Sequence, residues 1–145
     1  MLGLLRDIAG VLGRPLWLWS VAGGVQDGVV AGGVVMADSD KPAAGLMQLV
    51  EIQGRPLCVT LDLIPHLSDE RTLRVLRTLL QRFARSQSQL VMIDYRADLP
   101  DLVQAYATPF RISLPDEAEI EQLVRAAVSH ARTEARSTSP NARSA

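Results

Sequence analysis

Three short runs of large apolar residues constrain this chain most: LWLWSV at 16–21, PLCVTLDLI at 56–64 and LVMIDY at 90–95. The first suits a buried strand running into a loop, because glycines follow it. The second is apolar almost without a break, which argues for a central strand covered on both faces. Segments of helical period separate the runs. Leu2, Leu5, Ile8, Ala9 and Leu12 recur at spacings of three and four, so residues 2–12 read as a short amphipathic helix stopped by Gly13 and Pro15. Residues 43–52 read as a second helix. A third starts at Ser68 as N-cap, with Asp69 and Glu70 in its first turn, and runs to about Arg85. It sets Leu73, Leu76, Leu79, Leu80 and Phe83 on one side and Arg71, Arg74, Arg82 and Arg85 on the other. A short helix at 99–106, a fourth strand FRISL at 110–114 and a last helix opened by Asp116, Glu117 and Glu119 complete the series. Residues 23–45, rich in glycine and holding DSDKP, read mostly as loop with one weak apolar run from Val29 to Met36. Strands alternating with helices imply an α/β fold, with right-handed crossovers and a mostly parallel sheet in layers.

The 145 residues, 48% of them hydrophobic, suffice for one domain with its own core. We place that domain at residues 1–131. The tail at 132–145 has no apolar period and is expected to be disordered. Arg6, Asp7 and Arg14 interrupt the apolar N-terminus, so it forms neither a signal-peptide core nor a bilayer span, and the expected compartment is the cytoplasm. A net charge of −1 gives no overall attraction to nucleic acid or an anionic membrane. The single cysteine, Cys58, excludes a disulfide within the chain and reads as a small buried hydrophobe.

The succession of a strand ending in Asp62, a helix, a second strand, a short helix and then FRISLPDEAEIEQLV resembles the second half of an AAA+ core. Trp19 with Gly24 and Val25, followed by VTLDLIPHLSDERTLRVLRTLLQRF and LVMIDYRADLPDLVQAY, is similar to the degenerate N-terminal domain of the AAA ATPase family known from a hypothetical plastid reading frame and its bacterial relatives. The resemblance covers roughly residues 14–128. It implies a three-layer, P-loop-NTPase-like sheet, a bacterial or plastid setting, and a non-catalytic domain that precedes a catalytic one. It also implies that this chain is a fragment, a split product or a stand-alone relic.

Each motif that could carry ATPase chemistry departs from what the chemistry needs. Gly23-Gly24-Val25-Gln26-Asp27-Gly28 has glycines at the first and sixth places of a phosphate loop but continues with Val29 and Val30, where Lys and Ser or Thr are required. We read it as a structural turn. The only lysine, Lys41, is too far along to serve. Asp62 stands where a Walker-B aspartate would meet Mg²⁺, but Leu63 replaces the glutamate that activates water. Asp94, Tyr95 and Arg96 occupy the region expected to hold a polar sensor. No arginine lies between Leu102 and Phe110 to act as a finger, and Arg111 reads as a surface-pairing residue. His66 and His130 have no cysteine or carboxylate at ligand spacing, so neither points to a metal.

These absences favour a module without catalytic residues or a cofactor of its own, ATP and Mg²⁺ entering only if another segment completes the site. Such a module would regulate or assemble with a catalytic AAA ATPase, or with itself. The basic stripe Arg71, Arg74, Arg82 and Arg85, beside Arg77, is a solvated helix face or a surface for acidic protein. It lacks interleaved aromatics, which argues against single-stranded nucleic acid. Two alternatives stay open: a fragment of an ATP-binding AAA ATPase, and a receiver-like phosphoacceptor domain built on Asp62, although no lysine follows Lys41.

Overall fold

The computed structural model describes residues 1–30, 32–112 and 116–137, with side chains in the last helix described as far as Ser129. They form two compact units, divided between Thr108 and Pro109.

The first unit is built on a four-stranded mixed sheet. Its strands are β1 (Leu16–Ser20), β2 (Gly24–Asp27), β3 (Leu57–Leu61) and β4 (Gln89–Ile93), in the order β2-β1-β3-β4. β1, β3 and β4 are parallel, and β2 runs antiparallel on the outer side of β1. β1 and β3 are the two interior strands, and β3 has the covered position that its apolar run requires. Leu57 and Val59 face one side, where helix α1 (Leu2–Leu12) brings Leu5 and Ala9 onto Leu16 and Leu18. Cys58 faces the other, where α2 (Pro42–Glu51) and α3 (Glu70–Ser86) bury Leu46, Leu49, Leu76, Leu79 and Phe83 against Trp19. The chain lays down β1, β3 and β4 in one direction across the sheet. Crossovers of a single hand then put α2 and α3 on the same face, as found.

Sequence and structure part at β2. Residues 24–27 lie within the stretch read as loop, yet they pair with β1 in the register Trp17 to Asp27 and Ser20 to Gly24. The weak run at 29–36 contributes only an isolated bridge between Gln26 and Val35. The N-cap of α3 is Asp69 rather than Ser68: its carboxylate accepts the Thr72 backbone N–H at 2.8 Å and the Thr72 hydroxyl at 2.7 Å. Two acceptor bonds from one side chain outweigh the single bond a serine would offer. A short helix, α4 (Asp101–Gln104), follows β4.

The second unit contains α5 (Glu117–Ser137), which runs past the expected domain end at residue 131. Asp116 accepts the Glu119 N–H at 2.8 Å while Glu119 accepts the Asp116 N–H at 3.1 Å, a reciprocal capping box. The expected strand at 110–114 does not form where it can be followed. Phe110, Arg111 and Ile112 are exposed and outside any strand, and 113–115 lie outside the described residues. Residues 138–145 of the expected tail do too.

Candidate functional site

The C-terminal ends of parallel strands are where α/β sheets hold ligands. Here that edge comprises Ser20 at the end of β1, Asp62 after β3 and Asp94 after β4. A phosphate loop would have to lead from the strand into a helix N-terminus, whose amides bind the anion. β1 instead turns through 21–23 and returns as β2. The Ser20 hydroxyl accepts the Gly23 N–H at 3.0 Å and closes that turn.

Gly24 and Gly28 are needed by packing. Gly24 has φ +61°, and a Cβ there would strike the Ser39 hydroxyl. At Gly28 a Cβ would meet Leu16 Cγ at 2.6 Å. Ser39, at 2% exposure, ties the hairpin to the chain leading into α2. Its hydroxyl accepts the Val25 N–H at 2.7 Å and donates to the Met36 carbonyl at 2.6 Å, and its carbonyl accepts the Trp19 indole N–H at 2.8 Å. The glycines of 23–28 thus serve a hairpin. No sequence signal singled out Ser39, whose role exists only once the hairpin is formed.

Asp62 directly follows β3 and is exposed, with φ +52° and its backbone N–H donated to the Ile93 carbonyl at 3.0 Å. Asp94 is the better-tied carboxylate. One oxygen accepts the Ile64 N–H at 2.7 Å and the other the Arg96 N–H at 3.0 Å, so it holds the turn after β3 and its own turn together. Arg96 in turn clamps Asp98 and holds its carboxyl below the ordinary range, chiefly through the side-chain hydrogen bond. The region expected to hold a sensor is therefore a self-contained network of turns. Lys41 sits at the start of α2. His66 packs edge-on against Trp19, ring centroids 6.5 Å apart, and His130 has no described side chain. Cys58 is fully buried, and burial pushes its thiol up to about 12.

The arginines of α3 lie on the helix face opposite its buried residues Thr72, Leu76, Leu79 and Phe83. Arg74 meets Glu70 at 3.4 Å and Arg82 meets Glu51 at 3.9 Å. A shallow groove of about 420 Å³ runs along Thr78, Gln81, Arg82, Arg85 and Ser86. A second groove, of about 630 Å³ and largely apolar, lies between α2 and β1 and is lined by Trp17, Met36, Met47 and Ile52. Periodicity could not have found the second, because its walls come from distant segments.

The first unit is thus a mixed α/β sheet whose first turn is a hairpin and whose Asp94 carboxylate is engaged by two turns. Residues 1–112 match the family model of the SpoVK-like AAA ATPase N-terminal domain, and the chain belongs to that family. Neither the curated proteins nor the solved structures give a significant match. Among the described residues no helix is long and apolar enough to cross a membrane.

Proposed function

We propose that this domain is a non-catalytic module that regulates or assembles with a catalytic AAA ATPase domain, or with a second copy, in the bacterial cytoplasm or plastid stroma. The observation that carries the reading is the β1–β2 hairpin. It stands in place of a strand-to-helix phosphate loop, and Gly24 and Gly28 are committed to packing against Ser39 and Leu16. Membership of an AAA ATPase N-terminal family supports the association with AAA modules. On this reading the sheet, with helices on both faces, is a degenerate relative of the P-loop-NTPase three-layer core, and the domain needs no cofactor of its own. Asp62 directly follows β3, where a Walker-B aspartate would stand, and on this reading is a turn residue.

The experiment is to add the full chain in trans to the catalytic domain of a SpoVK-like AAA ATPase, following turnover and oligomeric state. A change in either that saturates with added chain is the expected result. No change in both, at concentrations well above that of the ATPase, contradicts the proposal.

A further inference from the structure

Helix α3 carries five arginines and one glutamate, a charge of +4 in a chain whose total is −1, so the rest of the chain carries −5. Arg71, Arg74, Thr78, Arg82 and Arg85 follow one another at three- and four-residue spacings, which aligns them along one flank of the helix. At 1.5 Å per residue the stripe is about 21 Å long. Among the described residues, internal carboxylates meet only Arg74 and Arg82 of the stripe, through exposed pairs at 3.4 and 3.9 Å. The side chains of Arg71 and Arg85 form no ion pair or hydrogen bond among the described residues, beyond a longer-range attraction between Arg71 and Asp69. Arg71 also lies in the first turn, where the helix dipole disfavours a cation, so helix stability alone does not account for it. Between the arginines, Thr78, Gln81 and Ser86 line the shallow groove with further polar groups.

We propose that this stripe is a docking surface for an acidic helix of a protein partner, with carboxylates at matching three- and four-residue spacing. The inference rests on reading the domain as a partner-binding module and names the surface it uses. Charge complementarity selects the occupant: a linear array of guanidinium groups matches a linear array of carboxylates, each pair able to form bidentate bonds. Nucleic acid fits less well. The remaining −5 would repel a polyanion that extends beyond the stripe, and no aromatic side chain lines the groove to stack a base.

The test uses the full chain and a fluorescein-labelled helical peptide with glutamates at alternating three- and four-residue spacing, followed by anisotropy. A glutamine counterpart, a single-stranded DNA oligonucleotide and the chain alone at high concentration complete the set. The expected result is saturable binding of the glutamate peptide that weakens with salt and is absent for the glutamine peptide. Arg71→Gln with Arg85→Gln weakens it on the order of tenfold, while the paired lysine replacements, which keep the charge but not the bidentate fork, weaken it less. Arg77→Gln, about 100° round the helix from the mid-line of the stripe, changes it by less than about twofold. All these sites are exposed, and thermal melting verifies that the variants fold.

Equal binding of the glutamine peptide, equal loss in Arg77→Gln, tighter binding of the oligonucleotide, or self-association abolished by the double variant would each overturn the proposal. Failure here with a preserved effect on a catalytic AAA domain removes this surface alone. Loss of that effect removes the broader reading.

Discussion

The Asp94 carboxylate accepts the backbone N–H of Ile64 at 2.7 Å, so a residue at the end of β4 holds the turn that leaves β3. The other oxygen of Asp94 is engaged by Arg96, and the exposed Asp62 beside it sits on left-handed backbone. Asp94→Ala leaves the Ile64 N–H, on a residue with 8% exposure, without its acceptor, and is expected to cost about 1–3 kcal/mol. Asp62→Gly is expected to gain about 0.5–1 kcal/mol, because glycine adopts that backbone without steric penalty. Urea unfolding of the two variants checks both signs.

Gly45 of α2 lies against Trp19, and a Cβ there would collide with the indole and crowd the Ser39 carbonyl. Gly45→Ala would ordinarily favour a helix by up to about 1 kcal/mol. Here the overpacking and the disturbed indole hydrogen bond outweigh that gain. We expect a net loss of roughly 2–3 kcal/mol in urea unfolding, with altered tryptophan fluorescence.

Thr60 is fully buried on β3, and its hydroxyl has no hydrogen-bond partner among the described residues. Thr60→Val keeps the shape and the β-branch while removing an unsatisfied polar group. It is expected to raise stability by about 1 kcal/mol, read from the urea midpoint at unchanged m-value.

Asp69 and Asp98 are both held below the ordinary carboxylate range, Asp69 by the Thr72 side chain and backbone and Asp98 by Arg96. A depressed folded-state pKa contributes stability above the unfolded value and loses it as pH falls through the folded value. Stability contributed by these two residues is therefore level near neutrality and declines below about pH 4. Asp69→Ala, measured by thermal melting across that range, should melt lower than the wild type at neutral pH and converge towards it in acid.

Helices α1 to α3 and the three parallel strands were legible because burial on a two-faced sheet leaves continuous apolar runs and 3.6-residue periods. β2 was not, since GVQD is short, half polar and opened by a glycine whose positive φ serves the hairpin. Of the expected strand at 110–114, the described residues 110–112 form none: FRISL alternates as a strand should, but pairing is non-local and no local pattern encodes it. At the candidate site, the missing lysine, hydroxyl and glutamate were visible as residue types. The use of Asp94 as a tie between turns was not, because its partner is a backbone N–H thirty residues away.

The most direct measurement is calorimetric titration of the full chain with Mg²⁺·ATP, with Asp62→Ala as control. A hairpin in place of a phosphate loop predicts no saturable heat and no difference between the two proteins. Saturable, Mg²⁺-dependent binding that Asp62→Ala abolishes would contradict the account, because it would make Asp62 a metal-site residue and the hairpin a nucleotide loop.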